Sequence, residues 1–574
     1  MRAIIRKSGN SKRVYIQKSF RNVNGKNTSK IVESLGDIEE LKKKLKMSEE
    51  EVLSWAQKKA DDIDSKEKDN NSNIVVCLSQ NKLIDSNNTR LYKAGYLFIQ
   101  KMYYQMNMDN VFRNIRNRNE YEYDLNAIFS DLVFTRLIEP SSKYSSYEIA
   151  KSFLEPPKYK LYDIYRGLSI LAKESDYIQA EIYKNSNHLI SRNSRVLYYD
   201  CSNYFFEVEQ EDIDGLRKYG KSKEHRPSPI VQMGLFIDSN GIPLAFNIFE
   251  GNKNEQLSLT PLETTIIRDF DMNSIVVCTD AGLSGYTNKL FNNTKTKAYI
   301  TTQSLKKLKK LDQDWALDKT KDWNRLSDDE EVEDISNIKD NDTNIYYKEE
   351  PYPHKEIKNQ RLIISYSHKY AIYQSKIRQA QIQRAIKLIE KGENRKTNNL
   401  NDPRRFIKKT STTSNGEIAD EVTLSLDENL INEEAKYDGY YGIVTNLEDE
   451  AKDIIKVASG RWEIEECFRI MKTDFKARPV YLQREDRIKA HFLTCFVALF
   501  FLRVLEYKTK HKYTTNQLLD TLRSYNLTKI NEGYIPSYTR DKISDDLHSI
   551  FGFRTDYEIT SPKKMRNIIK ISKK

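Results

Sequence analysis

Two apolar segments that each end in an aspartate constrain the fold of this chain most. Residues 196–200 read Val-Leu-Tyr-Tyr-Asp, and residues 275–280 read Ile-Val-Val-Cys-Thr-Asp. Runs that are rich in β-branched and aromatic residues are typical of buried strands. The first of these strands is predicted to continue, after 201–203, into 204–206. Further strands are predicted in the same region at 230–237, 242–249 and 298–301. Helices are predicted at 257–270 and between 285 and 298.

The resulting order, β-β-β-α-β-α-β, predicts an α/β fold with a ribonuclease-H-like mixed sheet and helices on both faces. In such a sheet the first and fourth strands are neighbours. The interval 304–458 does not continue the alternation, because it holds an acidic low-complexity stretch, a long helix at 370–391 and a strand at 437–445. We therefore interpret 304–458 as an insertion domain inside the core fold.

A segment that begins at Gly460 predicts an amphipathic helix. At about 100° per residue, Arg461, Glu465 and Lys472 fall within roughly 40° of one another. They lie beside an apolar stripe formed by Ile464, Phe468, Met471 and Phe475. A solvated face with (i, i+4) ion pairing explains the same pattern for this helix alone.

Asp200, Asp280 and Glu465 together form a candidate catalytic triad. Three crowded carboxylates need compensating cations, and Mg²⁺ prefers carboxylate oxygens. Two such ions would clamp the attacking and leaving oxygens of a phosphoryl transfer, with Asp200 bridging them and Asp280 and Glu465 holding one each. Taken singly, an aspartate after a strand is most often a turn or N-cap residue, and a single surface glutamate does not indicate a catalytic role.

Several motifs make the chain similar to DDE transposases of bacterial insertion sequences. Arg461, Glu465 and Lys472 match the last three members of a Tyr-x2-Arg-x3-Glu-x6-Lys signature, whose tyrosine position is occupied by Ala458. Other segments resemble that family at 198–207, 221–227, 241–245, 249–252, 279–283 and 437–441. The Ser34-Leu-Gly end of the N-terminal hairpin and the turn at 139–143 are also similar.

The resemblance implies a DNA transposase that binds terminal inverted repeats, cuts each end with water and joins the 3′-OH to target DNA. It implies two Mg²⁺ ions, with Mn²⁺ as a substitute, and a homodimer in a synaptic complex on double-stranded DNA. Arg461 and Lys472 would contact phosphates near the scissile bond. Backbone contacts are also expected from a basic loop that could equally be solvated: Lys218, Lys221, Lys223 and Arg226.

Two alternatives to a transposase remain open at the level of the sequence. One is a ribonuclease-H-like nuclease without strand transfer, against which the insertion and the basic terminal regions argue. The other is an inactive DNA-binding remnant, against which the three intact acids argue and which Ala458 favours. Joined products or nicks alone, from DNA that carries the ends, would separate the first alternative from a transposase.

The predicted organisation is a basic N-terminal hairpin, helix and linker, then a helical DNA-binding region, the interrupted core and a basic helical tail. The boundaries are 1–73, 74–193, 194–303, 304–458, 459–510 and 511–574. Asn24-Gly25 between alternating segments predicts the hairpin, and the polar residues 61–73 predict the linker. The helical region carries basic and aromatic residues, Arg136 and Lys143 among them, that would suit a DNA reader if they lie on its surface. It could equally be a packing module.

Composition sets further limits. The net charge of +11 is concentrated at the ends: residues 1–30 hold nine Lys/Arg and no acid, and 561–574 hold six basic residues and no acid. Both ends are expected to attract a polyanion, whereas 322–350, with eleven acids and three bases, is repelled by it.

Five scattered cysteines without CxxC spacing predict reduced, buried thiols: Cys77, Cys201, Cys278, Cys467 and Cys495. The absence of a membrane span or signal peptide predicts a cytoplasmic, nucleoid-associated protein.

Overall fold

The computed structural model describes residues 1–574 apart from 9–10, 22–26, 72–73, 75, 77–78, 82, 85, 87, 273, 340, 393–401 and 413–420. The chain forms two compact units. The first unit comprises Met1–Leu91, Leu527–Ser537 and Arg554–Lys570. The second comprises Tyr92–Asn526, Tyr538–Phe553 and Ile571–Lys574.

The first unit begins with a three-stranded antiparallel sheet and two helices. These are β1 (Arg2–Ser8), β2 (Ser11–Arg21), β3 (Asn27–Asp37), α1 (Ile38–Leu45) and α2 (Glu49–Asn71). The Asp37 carboxylate caps α1 by accepting a hydrogen bond from the Glu39 backbone N–H at 2.9 Å. β2 and β3 pair antiparallel, as the hairpin prediction requires. The predicted Asn24-Gly25 turn lies outside the described residues, as does Cys77.

The predicted linker at 61–73 is wrong for most of its length, because α2 continues to Asn71. Lys and Glu are good helix formers, and residues 62–68 place Asp62 and Lys66 four positions apart on one helix face. These local preferences outweigh the polar composition that suggested a linker.

A helical region follows the short strand β4 (Leu91–Lys93). Its helices are α3 (Tyr96–Gln105), α4 (Met108–Asn117), α5 (Leu125–Ile138), α6 (Lys143–Ala150), α7 (Leu161–Lys173) and α8 (Ser175–Ser186). Two basic residues expected on its surface are buried instead: Arg136 is 2% exposed and Lys143 is 5% exposed. The Arg136 guanidinium donates hydrogen bonds to the backbone oxygens of Phe475 (3.0 Å) and Ser141 (3.1 Å).

The predicted strand and helix order is present in the next segment. The elements are β5 (Val196–Phe205), β6 (Ile230–Asp238), β7 (Pro243–Glu250), α9 (Leu259–Asp269), β8 (Ile275–Thr279), α10 (Tyr286–Phe291) and β9 (Lys297–Gln303). β5 pairs antiparallel with β6 and parallel with β8, so the first and fourth strands of this segment are neighbours. Two predicted buried thiols, Cys201 and Cys278, lie in these strands and are buried.

Residues 304–458 add five strands to the same sheet and a separate two-stranded hairpin. The elements are α11 (Lys310–Leu317), β10 (Trp323–Arg325), β11 (Glu331–Val332), β12 (Ile345–Pro351), β13 (Arg361–Ser367), α12 (His368–Glu390), β14 (Ile407–Thr412), β15 (Glu421–Leu426), α13 (Glu428–Ala435) and β16 (Tyr440–Thr445). The acidic stretch therefore contains β10, β11 and most of β12, and Trp323 and Tyr346 belong to a buried cluster. The boundaries predicted for an insertion domain remain a prediction.

The complete sheet has ten strands in the order β11-β10-β12-β13-β16-β9-β8-β5-β6-β7. Only the β5–β8 and β8–β9 pairs are parallel; the other pairs within this sheet are antiparallel. The mixed α/β architecture that was predicted is thus present. The parallel strands lie inside the sheet, and Asp280 directly follows the end of β8. Asp200 was predicted to end its strand as well, but it lies in the middle of β5, because β5 stays paired with β6 as far as Phe205.

The described part of the chain after β16 has six helices, a π-helical segment and two short strands. The elements are α14 (Ala451–Ser459), α15 (Trp462–Arg469), the π-helix Ile470–Asp474, α16 (Glu485–Lys508), α17 (Thr515–Ser524), β17 (Asn526–Ile530), β18 (Gly533–Pro536), α18 (Lys542–Phe551) and α19 (Pro562–Ser572). The tail was expected to be helical, but it also contains the β17–β18 pair.

α16 is a core helix. It is long and apolar enough to cross a membrane by length and composition, with a mean hydropathy of 1.8 over its most apolar window. However, 94% of that window is buried inside the protein. The helix packs against α5, α7 and β7. Its apolar character is therefore used in packing the second unit.

Candidate active site

The two aspartates are placed side by side by the parallel pairing of β5 and β8. Tyr198 is level with Cys278 at the end of the paired segment, and Asp200 and Asp280 each lie two residues further on. The Asp280 carboxylate is close enough to Asp200 to raise the pKa of Asp200. One Asp200 carboxylate oxygen accepts a hydrogen bond from the Cys201 backbone N–H at 2.7 Å. The Asp280 carboxylate accepts one from the Leu283 N–H at 3.1 Å, which fixes the turn after β8.

The electrostatic state of Asp200 reflects this placement. Burial, and to a smaller degree the neighbouring Asp280 carboxylate, raise the pKa of Asp200 to about 6. Lys223 and Arg461 act in the opposite direction but do not cancel the effect. Two neighbouring carboxylates provide an oxygen-rich site for a divalent cation.

The helix that carries Glu465 is held against β5 by a close contact at Gly460. A Cβ atom at this position would lie 2.4 Å from the Tyr198 hydroxyl oxygen, so a glycine is required for this approach. The same hydroxyl donates a hydrogen bond to the Val457 backbone oxygen at 2.8 Å. Tyr198, which lies two residues before Asp200 on β5, therefore fixes the position of the junction between α14 and α15.

The predicted amphipathic helix changes geometry at its end. α15 covers Trp462–Arg469, and Ile470–Asp474 is π-helical. The predicted apolar stripe is buried: Ile464, Met471 and Phe475 have no exposed surface, and Phe468 is 6% exposed. Because a π-helix turns less per residue than an α-helix, Lys472 departs from the position that a regular α-helix would give it.

Glu465 lies at the exposed edge of this helix. Its side chain is 59% exposed, and its Oε1 is 3.1 Å from the Arg461 guanidinium, an (i, i+4) ion pair. Burial alone would lower the pKa of Arg461, but the Tyr441 hydroxyl, Glu465 and the two aspartates together raise it. Arg461 therefore lies within electrostatic reach of all three candidate acids.

Two lysines add positive charge near Asp200. Lys223 donates a hydrogen bond to the Cys201 backbone oxygen at 2.6 Å. The Lys472 ammonium lies 5.4 Å from the centre of the Tyr204 ring, on the same strand as Asp200. Burial and the nearby Lys223 lower the pKa of Lys472 to about 8, although Asp200 opposes this change. Both lysines are thus positioned beside the carboxylate pair.

The other residues of the predicted basic loop differ in environment. The Lys218 ammonium donates to the backbone oxygens of Asp212 (2.6 Å) and Ile213 (2.7 Å), which ties it to its own loop. Lys221 is exposed. The Arg226 guanidinium lies 4.2 Å from the centre of the Phe205 ring. Of the four loop residues predicted to contact DNA, Lys223 is the one that lies next to a candidate catalytic acid.

The arrangement fits a divalent ion at Asp200 and Asp280. No group of three or more His, Cys, Asp or Glu side chains is close enough to hold a metal ion within the described part of the chain. Glu465 is paired with Arg461 and would have to leave that cation in order to act as a ligand. The three-acid site therefore remains a prediction, for which the structure supplies two adjacent members.

Tyr441 was not predicted as a site residue. Its hydroxyl is 2.6 Å from the Thr302 hydroxyl across the β9–β16 pair, and it is the strongest of the groups that raise the pKa of Arg461. The segment 437–441 was recognised as a strand, but only the pairing of β16 with β9 brings this tyrosine to the site. Ala458, at the signature tyrosine position, is 7% exposed.

Comparison with known proteins identifies the family. Residues 205–501, just over half of the chain, match the transposase DDE domain. The protein therefore belongs to the DDE transposase family, whose members are DNA-transposition enzymes that use divalent metal ions. The matched segment contains Asp280 and Glu465, and it begins five residues after Asp200.

A structural comparison gives a weaker likeness. The chain is similar to the piggyBac transposase in a cryo-EM structure of its synaptic complex with hairpin DNA. The TM-score is 0.34 and the sequence identity 8%, over 83% of this chain and 84% of that chain. No curated protein matches the sequence.

Proposed function

We propose that this protein is the DNA transposase of a bacterial insertion sequence, of the branch with a Tyr-Arg-Glu-Lys signature. It binds the terminal inverted repeats as a homodimer, cleaves the ends and joins each 3′-OH to target DNA in the cytoplasm. The observation that carries the proposal is the placement of Asp200 and Asp280 near each other, two residues beyond the β5–β8 pairing, within a chain of the DDE family.

The carboxylates are assigned the metal-binding roles. Asp200 and Asp280 would hold a divalent ion between them, and Glu465 would complete a two-ion site on release from Arg461. Mg²⁺, or Mn²⁺ in its place, would activate water or a 3′-OH and stabilise charge on the leaving oxygen. A ribonuclease-H-like core accounts for the strand order on which this assignment depends.

The cations of the site are assigned to DNA. Arg461, once free of Glu465, presents a planar guanidinium that suits bidentate contact with a phosphate. Lys472 and Lys223 lie beside Asp200, and they would attract the DNA strand whose phosphate Arg461 contacts towards the carboxylates. Lys218, Lys221 and Arg226 would contact the backbone further along the loop. None of these contacts reads bases, so they position the DNA.

The proposal is tested with DNA that carries the two ends flanking the reading frame, a supercoiled target plasmid and Mg²⁺. The wild-type protein should give joined products. Asp200→Ala, Asp280→Ala and Glu465→Ala should each abolish cleavage but retain binding to the ends. Glu466→Ala is the matched control, because Glu466 is on the same helix and pairs with Arg469 instead. Nicks without joined products would favour a nuclease, and cleavage by the three variants would refute the assignment.

A further inference from the structure

A cavity of about 650 Å³ lies within the second unit, between helices and the segment that follows the π-helix. Its volume is in the range of sites for small molecules. One wall is the segment 476–484, which follows the π-helix, and the others come from α5, α6, α7 and the start of α16. The Val480 N–H donates to the Phe205 backbone oxygen at 3.1 Å, so this wall is attached to the strand that carries Asp200.

The cavity is lined by positive charge. Six basic side chains contribute to it: Arg136, Lys143, Lys476, Arg478, Arg484 and Arg487. None of the described residues that line it is acidic. Two of the cations are neutralised from outside the lining, since Arg478 pairs with Glu224, and Arg484 lies 2.6 Å from Asp486. Arg136, Lys143 and Arg487 form no ion pair with a carboxylate among the described residues, and all three line the same cavity.

Several hydrogen-bond donors in this lining are unused. The Lys143 ammonium, the Nε groups of Arg136 and Arg487, and the Ser141 hydroxyl are buried without a hydrogen-bond partner among the described residues. Lys143 is the strongest case, because its side chain is 95% covered and a buried, unpaired ammonium is costly. A bound anion would supply acceptors for these donors.

The geometry points to a binding site for the phosphate group of a nucleotide, with Lys143, Arg136 and Arg487 as its donors. A phosphate offers several charged acceptor oxygens, which matches a set of cationic donors converging without acids. The remaining space suits the rest of a nucleotide, because Tyr165, Pro479, Val480 and Leu482 give the cavity apolar and aromatic surface. Tyr481 is 69% exposed, so its ring is available to stack on a base.

The protonation of Lys143 provides a second, independent test of phosphate binding in the cavity. Burial and the nearby Arg136 lower the pKa of Lys143 to about 7. The titratable groups that face it are Arg136 from α5, and His491 and Cys495 from α16. Burial keeps the pKa of His491 well below its usual range and raises that of Cys495, so both are neutral near pH 7. An anion in the cavity should raise the pKa of Lys143, so binding above pH 7 should take up a proton.

The ligand could be a free phosphate compound or a phosphate of DNA, and the DNA source alone rests on the proposed transposase function. Binding to the full-length protein is measured calorimetrically in EDTA, where no cleavage occurs. The probes are inorganic phosphate, a deoxynucleoside monophosphate, and a short oligonucleotide with or without a 5′-phosphate. Binding of the first two identifies a free ligand, and binding only of the phosphorylated oligonucleotide identifies DNA.

Lys143→Met should weaken binding about tenfold or more, because it removes a charge-assisted hydrogen bond. Arg487→Gln should also weaken it. Lys151→Met and Lys489→Gln are the matched controls: Lys151 caps the same helix as Lys143, Lys489 lies on the same helix as Arg487, and neither lines the cavity. Both controls should bind as the wild type does.

Proton uptake should appear as a dependence of the binding heat on the ionisation heat of the buffer at pH 8, and it should disappear in Lys143→Met. A purely structural lysine would not produce this change. The inference is overturned if the wild type binds none of the probes, or if Lys143→Met and Arg487→Gln bind as tightly as their controls. Cleavage is not measured in this experiment, so neither result decides whether the protein is an active transposase.

Discussion

Asp200→Asn should stabilise the metal-free protein at pH 8. The pKa of Asp200 is raised to about 6 in the folded state, mainly by burial, against about 3.9 in an unfolded chain. At 1.36 kcal/mol per pH unit, keeping this group ionised in the folded protein costs about 3 kcal/mol. The neutral side chain of Asn carries no such cost, and its amide oxygen can still accept the hydrogen bond from Cys201.

The size of the stabilisation by Asp200→Asn depends on pH. A raised pKa of an acid means that its contribution to stability is present below about pH 4 and is lost as the pH rises through about 6. The advantage of Asn should therefore be full at pH 8, shrink between pH 6 and 4, and vanish below. For a folded unit of several hundred residues, 3 kcal/mol corresponds to a rise in Tm of about 3 °C.

The assay is thermal unfolding in EDTA at pH 8 and pH 4, followed by differential scanning fluorimetry. Asp269→Asn is the matched control, because its ion pair with Arg268 lowers the pKa of Asp269, and its Tm should stay equal or fall. Added Mg²⁺ should raise the Tm of the wild type and leave Asp200→Asn nearly unchanged. An unchanged or lower Tm for Asp200→Asn at pH 8 would refute the reasoning about the carboxylate pair.

The remaining predictions concern packing, a second buried acid and DNA contacts. Gly460→Ala should cost about 1–3 kcal/mol of stability in chemical denaturation because its Cβ meets the Tyr198 hydroxyl, and less in a Tyr198→Phe background. Glu263→Gln should raise the Tm at pH 8 but not at pH 5, since burial raises the pKa of Glu263 to about 7. Cleavage by the wild type should decline above about pH 8 as Lys472 loses its proton, and Lys472→Met should be weak at every pH without that decline. Binding to the DNA ends should weaken steeply with salt in filter-binding assays, and a flat dependence would contradict a phosphate-tracking surface.

The central strands were predictable because their residue pattern is strong locally. The segments around Asp200 and Asp280 are short apolar runs bounded by turns, and their order restricts the sheet to few topologies. The stripe on the helix of Glu465 was predictable for the same reason. Its π-helical end at Ile470–Asp474 was not, because those residues suit an α-helix and only the packing of the whole unit decides between the two.

Other features depend on contacts that the local sequence does not encode. The acidic segment 322–350 reads as low complexity, yet its strand β12 pairs with β13, and Trp323 in β10 is buried. Arg136 and Lys143 read as surface residues of a DNA reader, but the packing of α5 and α6 buries both. Tyr441 reaches Arg461 only because β16 pairs with β9. In each case tertiary structure overrides composition.

The central claim is that Asp200, Asp280 and Glu465 hold the same divalent ions. Replacing Mg²⁺ with Fe²⁺ in the DNA-bound protein and adding ascorbate and peroxide generates hydroxyl radicals at the metal, which cut the polypeptide nearby. If the three acids share the ions, backbone cuts are expected near residues 200, 280 and 465. Excess Mg²⁺ and Asp200→Ala should each suppress all three cuts. Cuts at 200 and 280 without a cut near 465, or cuts that persist in Asp200→Ala, would contradict a shared site.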